Sequence, residues 1–343
     1  MGDVEFPYRE FRAGQRELAE AVEEAVREGR LLVVKAPTGF GKTAAVIYGL
    51  LKAEAGRVLY AVRTVNEIDP VVRELKRFGA RFTFLFSARR MCPLLSAPGS
   101  GGPPVEDFWA ACRLLRARGA CGFYEELRRV GSGPVREIIE STVSFSAYRL
   151  AWEAAERLSV CPFFALRGLV EDSTFIVATY PYLFKKDIFE AFLEPLSYED
   201  LVVVVDEAHS LLNAHTLLEE RVSVRELRQA AREVERYTPE AKAVVEALES
   251  LAEWASRIRP HRITLLDKRE ALDRIGDPEL VFDAAEAVRY RVIEEALLQG
   301  SVEGLRRVRT SVSRVASWIQ VLLMEESSLF AEPPEGGEGR VWL

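Results

Sequence analysis

A chain of 343 residues has room for two or three domains and a sizeable buried core. Its formal charge of -7 excludes a globally basic surface, so any nucleic-acid site must be a local patch. No apolar run is long enough to span a membrane, and the opening MGDVEFPYREFR lacks the apolar core of a signal peptide, which reads as a cytoplasmic protein.

Tyr8 and Phe11 precede an amphipathic helix whose apolar positions include Leu18, Val22 and Val26. Gln15 lies one turn beyond Phe11. An aromatic ring and a glutamine ahead of a phosphate loop can stack on adenine and read its edge. The same residues serve equally well as a helix staple and a surface Gln.

Leu31 to Val34 form an apolar run, the mark of a buried strand. Pro37 and Gly39 break it, and Gly41-Lys42-Thr43 open a helix expected to reach about Ala55. Such a loop cradles phosphates, because its backbone N–H groups converge and the helix N-terminus adds partial positive charge. Thr38, Gly39, Phe40 and Gly41 would wrap the phosphates. Lys42 would reach the β- and γ-phosphates, and the Thr43 hydroxyl would hold Mg²⁺. Ala36 stands where the general G-x-x-x-x-G-K-[ST] pattern has its first glycine.

Arg57 to Arg63 reads as the next strand and is followed by a helix through Pro70 to Phe78. Arg63 and Thr64, at the strand end, could grip a phosphodiester or serve as a solvated cation and a helix cap. Arg81 to Ser87 alternates like a strand, and Thr174 to Tyr180 is another. Strands alternating with helices predict a parallel α/β sheet with ligands at the strand C-terminal ends.

All four cysteines, Cys92, Cys112, Cys121 and Cys161, fall between these last two strands. Buried thiols, a zinc site, two disulfides and a four-thiolate cluster are the competing readings. Zinc fits less well, since no Cys-x-x-Cys pair or histidine occurs in the segment. The cluster reading departs from the ferredoxin spacings. Ser96 to Pro104 is Pro/Gly-rich and reads as a loop. Arg89 and Arg90, beside Cys92, are candidates for touching nucleic acid or for a solvated pair.

Leu201 to Val205 is a further apolar strand, expected to be buried, that ends in Asp206-Glu207-Ala208-His209. Asp206 would hold Mg²⁺ through water, and Glu207 would orient and deprotonate the attacking water. After His209 the strands are expected to stop. Residues 221–237, 239–258, 277–299 and 302–324 read as long amphipathic helices, with Trp254 and Trp318 as core residues. Residues 331–340 read as a linker-like turn.

The ordered motifs YREFRAGQRE, APTGFGKT, VRTVNEIDPVVREL, ARRMCPLL, CPFFALR, IVATYPYLF and VVVVDEAHSLL resemble the N-terminal part of XPD-family DNA helicases, closely over residues 8 to about 213. The resemblance implies a superfamily-2 motor of two RecA-like domains. The fold class is then α/β: a RecA-like P-loop sheet with a small Cys-containing insertion and a C-terminal all-helical, arch-like domain. Expected boundaries are 1–87 and 173–212 for the RecA-like domain, 88–172 for the insertion and 213–343 for the arch. Cys92, Cys112, Cys121 and Cys161 match the ligands of a [4Fe-4S] cluster. Gln15 matches the adenine-reading glutamine, Lys42, Thr43, Asp206 and Glu207 the ATPase residues, and His209 the residue coupling nucleotide to DNA.

The expected function is the ATP-binding half of a 5′-to-3′ DNA-repair helicase acting on single-stranded or forked DNA. ATP, Mg²⁺ and the cluster are its cofactors, and a second RecA-like lobe completes it, the sequence being either a fragment of a longer protein or one partner of a separate chain that supplies the lobe. The alternatives are a single-stranded-DNA-binding module that holds ATP without productive turnover, and a P-loop ATPase with a zinc or thiol insertion.

Overall fold

The computed structural model describes residues 4–96, 103–142, 146–194, 196–213, 219–299, 302–335 and 338–342. The chain divides into two compact units: Met1–Pro93 with Cys121–Leu211, and Leu94–Ala120 with Leu212–Leu343. The Pro/Gly-rich loop expected over 96–104 lies mostly outside the described residues.

In the first unit, Gln15–Arg27 (α1) buries Leu18, Ala19, Val22 and Ala25, a helical stripe, against Lys42–Lys52 (α2). The two helices approach closely at Gly49, where an added Cβ would sit 2.4 Å from the Ala19 carbonyl. Strand Val58–Val62 (β1) is buried throughout. Helix Val65–Arg77 (α3) starts at a capping box, with Glu67 accepting from the Arg63 and Thr64 backbone N–H groups at 2.8 and 3.2 Å. Strand Phe82–Leu85 (β2) and helix Ala88–Met91 (α4) follow.

Helix Val105–Ala117 (α5) belongs to the second unit. The chain returns to the first through Gly122–Val130 (α6), Gly133–Ser141 (α7), Ala147–Leu158 (α8) and Pro162–Arg167 (α9). Strand Phe175–Thr179 (β3), helices Pro181–Phe184 (α10) and Lys186–Leu193 (α11), and strand Val202–Val205 (β4) complete the unit. The four strands pair in parallel in the order β2-β3-β1-β4, with Tyr60 opposite Val177 and Val204. The alternation of strands with helices requires such a sheet, because parallel neighbours need crossover connections.

Two expectations fail here. Leu31 to Val34 pairs with no strand among the described residues and is exposed, Leu31 at 92% and Val33 at 84%. β4 is an edge strand, bonded to β1 alone among the described residues, and Val203 is 40% exposed rather than buried. Apolar composition marks a segment fit for a sheet interior, but a strand also needs a neighbour for its N–H and C=O groups.

In the second unit, Arg221–Ser223 (β5) leads through a Ser223–Glu226 capping box into Val224–Tyr237 (α12). Helix Lys242–Arg257 (α13), strand Thr264–Leu266 (β6), and helices Lys268–Ile275 (α14), Pro278–Leu298 (α15), Val302–Arg306 (α16) and Ser311–Leu322 (α17) follow. The last expected long helix is thus two pieces. Trp318 is fully buried among Leu227, Leu251 and Val288, a core residue as expected. Trp254 packs against the same core and donates its indole N–H to Glu270 at 2.9 Å.

Strands do not stop at His209. Leu329–Glu335 (β7) and Glu338–Trp342 (β8) form an antiparallel pair within a sheet ordered β5-β8-β7-β6. The expected turn at 331–340 is mostly strand. Its paired prolines and glycines hid the strand signal, since those residues usually punctuate strands.

Helix α5 is anchored inside this unit by a buried carboxylate. Asp107 is fully buried and accepts from the Thr310 backbone N–H at 2.9 Å and from the Thr310 hydroxyl at 2.5 Å. Arg289 lies 3.9 Å from the same carboxylate and donates to the Ser313 hydroxyl at 2.9 Å. At the far end of α5, Arg118 pairs with Glu294 of α15.

Candidate nucleotide and metal site

The phosphate loop ends in Gly41, whose φ of 87° puts it in the left-handed region at the N-cap of α2. Gln15 is buried and holds this loop: its Nε2 donates to the Gly41 carbonyl at 3.2 Å, while its Oε1 accepts from the Arg12 N–H at 2.8 Å. The Arg12 guanidinium donates to the Gly39 carbonyl at 2.7 Å. A Cβ at Gly41 would fall 2.1 Å from Gln15 Nε2. Gly41→Ala is therefore expected to combine left-handed strain of about 1–2 kcal/mol with displacement of Gln15. Nucleotide affinity, read by titration calorimetry, should fall about tenfold or more.

Lys42 opens α2 and donates from Nζ to the Ala36 carbonyl at 3.3 Å. The same Nζ lies 3.8 Å from Glu207 Oε1. The Gly41-Lys42-Thr43 loop and the acidic end of β4 therefore face one another, as metal-assisted phosphate chemistry requires.

Asp206 and Glu207 follow β4 directly. The Glu207 N–H donates to Asp206 Oδ1 at 3.0 Å. Burial raises the Asp206 pKa, more than the Glu207 N–H bond and the Lys42 charge lower it. Glu207 has a φ of 50°, a left-handed conformation costing a non-glycine residue roughly 1 kcal/mol or more. His209 is exposed, with Nδ1 3.3 Å from Glu207 Oε2.

Two tyrosines at this turn escaped the reading of the sequence. The Tyr60 hydroxyl, buried in β1, donates to Asp206 Oδ2 at 3.5 Å, with the Thr43 side chain nearby. Burial raises its pKa, and so does the Asp206 charge, so it stays a donor. The buried Tyr180 donates to the Asp206 carbonyl at 2.5 Å and lies 3.3 Å from that of Glu207. Burial, with Glu67 and the acidic pair nearby, pushes its pKa to about 12. Their signal was a phenol inside or closing an otherwise apolar strand, beside the end where ligands gather.

Other expected site residues are held elsewhere. Tyr8 donates to the Glu74 carboxylate of α3 at 2.6 Å, and Arg77 lies over its ring. Phe11 stacks on Phe6 with centroids 3.9 Å apart, and Arg16 lies over its ring. Phe40 packs its ring beside Gly14. Thr64 caps α3, Arg63 and Arg90 are exposed, and Arg89 is half-buried on α4.

None of the four cysteines is in a disulfide in this structure. Cys92 follows α4, while Cys121 and Cys161 are the N-caps of α6 and α9. Helix α9 packs on both α4 and α6, and the Cys161 N–H donates to the Phe123 carbonyl at 2.9 Å. Cys112 lies on α5 in the second unit. Among the described residues no three His, Cys, Asp or Glu side chains converge to hold a metal ion. Four thiols outside disulfides are nonetheless the donor set that suits an iron–sulphur cluster.

The family described as DEAD_2 matches residues 60–231, half of the chain. The chain is 28% identical over 236 residues to the XPD helicase subunit of general transcription and DNA repair factor IIH from Schizosaccharomyces pombe, covering 61% of this chain and 30% of that one. It is 27% identical over 213 residues to the ATP-dependent DNA helicase XPD of Sulfolobus acidocaldarius, covering 62% and 35%. The chain thus spans about a third of the length of these curated relatives. A solved XPD helicase matches in fold with a TM-score of 0.68 at 21% identity, over 98% of this chain and 54% of that one. A truncated XPD matches with 0.64 at 21% identity, over 95% and 85%. With half its length matched to that family's model, the chain belongs to the DEAD_2 family, and XPD helicases are among its relatives.

Proposed function

We propose that residues 1–343 form the ATP-binding half of an ATP-dependent 5′-to-3′ DNA-repair helicase, which a second RecA-like lobe completes. The observation that carries this reading is the 3.8 Å approach of Lys42 to Glu207, beside Asp206, which accepts from the Tyr60 hydroxyl at 3.5 Å. Lys42 would hold the γ-phosphate, Thr43 and Asp206 would hold Mg²⁺, and Glu207 would take the proton of the attacking water. Gln15 would read adenine from beside the loop it braces, and His209 would relay nucleotide state from Glu207 towards DNA. Arg63, Arg89 and Arg90 are the candidate phosphodiester contacts, and single-stranded or forked DNA is the expected partner. A second lobe would add the cation that completes transition-state charge, worth roughly 10³-fold or more in related NTPases. The test is ATPase activity with single-stranded DNA and an added second lobe. DNA-stimulated turnover supports the helicase reading, and nucleotide binding without turnover favours the DNA-binding module.

Cys92, Cys112, Cys121 and Cys161 are the residues that would hold a [4Fe-4S] cluster in this reading. The cluster would supply a structural cross-link through its thiolates. Anaerobically purified protein is expected to carry about four irons per chain with a broad visible absorption. Iron-free protein containing zinc would leave the nucleotide site standing and remove the cluster. No described helix is long and apolar enough to cross a membrane, in keeping with an intracellular setting.

A further inference from the structure

We propose that Tyr180 is a positioning residue that fixes the Asp206–Glu207 turn in its left-handed form and so sets both carboxylates for a metal-bound nucleotide. The inference rests on the nucleotide reading of the preceding section and deepens it.

The turn has some support of its own: the Glu207 N–H donates to Asp206 Oδ1 at 3.0 Å, and the Glu207 carbonyl accepts from the Ser210 N–H at 2.8 Å. Among the described residues Glu207 is nonetheless one of three non-glycine residues at positive φ, and it carries the carboxylate assigned to the attacking water. A restraint from outside the turn adds to the hold on this strained geometry. The Tyr180 hydroxyl supplies one, bonding the Asp206 carbonyl at 2.5 Å and approaching the Glu207 carbonyl at 3.3 Å. A single donor thus spans the backbone on either side of the strained residue.

The tyrosine is itself held from three directions. Its backbone N–H donates to the Val62 carbonyl at 2.8 Å, continuing the β1–β3 pairing by one residue. Its ring meets Phe184 edge-on at 5.4 Å, and its side chain is fully buried. Strand β3 is two positions from β4 in the sheet, with β1 between them. The long phenol reaches across β1, which a serine or threonine at that position could not do. The Tyr180 hydroxyl bonds backbone carbonyls, so it acts through Asp206 and Glu207 rather than on the nucleotide.

Removing the hydroxyl while keeping the ring isolates this role. The probe is a fluorescent mant-ATP, titrated with and without Mg²⁺ into residues 1–343. The parent protein is expected to gain affinity from Mg²⁺. Tyr180→Phe should lose roughly five- to tenfold of that gain, the worth of one lost hydrogen bond, and keep its Mg²⁺-free affinity and melting temperature. Phe184→Leu disturbs the ring packing and leaves the hydroxyl, and should keep the full Mg²⁺ gain. A Tyr180→Phe variant with an undiminished Mg²⁺ gain would overturn the proposal, as would equal losses in the two variants, which would assign the effect to packing. Lys42→Ala separates the two levels: if it binds mant-ATP as the parent does, the nucleotide reading itself falls.

Discussion

Lys42→Ala is expected to weaken ATP binding by roughly a hundredfold or more. The ammonium faces the Ala36 carbonyl on one side and Glu207 on the other. A hydrogen bond to a charged group contributes about 1.5–3 kcal/mol, and 1.4 kcal/mol is a tenfold change in affinity. The loss goes beyond that one bond. Without the cation, the Asp206 and Glu207 carboxylates meet the nucleotide's phosphates uncompensated. Calorimetric titration measures the affinity, and the visible absorption of a bound cluster should survive unchanged. Retention of ATP affinity within threefold would take Lys42 out of the phosphate site. Joint loss of binding and absorption would make its role structural.

The largest effect on stability is expected at Asp107. Alanine there strands the buried Thr310 N–H and leaves Arg289 facing an empty site. Removing one partner of a buried, hydrogen-bonded charge costs about 3–5 kcal/mol, and the 3.9 Å Arg289 separation places this pair at the lower end. Denaturant unfolding should show a loss of about 3 kcal/mol for Asp107→Ala, with Asp107→Asn losing less because it keeps one acceptor.

The pH dependence has a definite sign. Burial raises the Asp107 pKa, more than the Thr310 bonds and the Arg289 charge lower it. The folded carboxyl therefore keeps its proton to higher pH than the unfolded one. Its contribution is fully present below the ordinary aspartate pKa of about 3.9 and is lost as pH rises through the raised folded value. Relative to Asp107→Asn, which does not titrate there, the parent should lose stability on going upward from about pH 4. A parallel pair of profiles would show that Asp107 titrates alike in both states.

The sequence was most legible where one local rule decides the outcome. Leu18 and Val22 lie on one helical stripe, and Thr64 with Glu67 spells a capping box, so α1 and the start of α3 follow from spacing alone. The glycine loop and the acidic strand end were legible as motifs, and the fold brings Lys42 to Glu207. What was not legible depends on partners distant in sequence. Leu31 to Val34 has a strand's composition, but composition does not say whether a neighbour lies alongside. β8 pairs with β5 across more than a hundred residues, a register that no local pattern encodes. Tyr180 matters because it reaches past β1, a fact of sheet order rather than of motif. The division of the Cys-rich segment between two units follows from Asp107 finding Thr310, residues 203 positions apart.

The open edge at Leu31 to Val34 and β4 bears on how this polypeptide behaves in a crowded solution. A parallel sheet ordinarily shields such edges, and natural edges carry lysines, prolines or bulges that discourage intermolecular zippering. Here Leu31 and Val33 project into solvent from a segment that pairs with no strand among the described residues, and Val203 is half-covered on an outermost strand. That combination is a template for recruiting extended chains, including other copies of itself. Besides the net charge of -7, these few exposed apolar residues are expected to weigh on colloidal behaviour. The segment that leads into the Gly41-Lys42-Thr43 loop thus carries some of the most exposed large apolar side chains among the described residues, so a change there bears on solubility as well as on the loop.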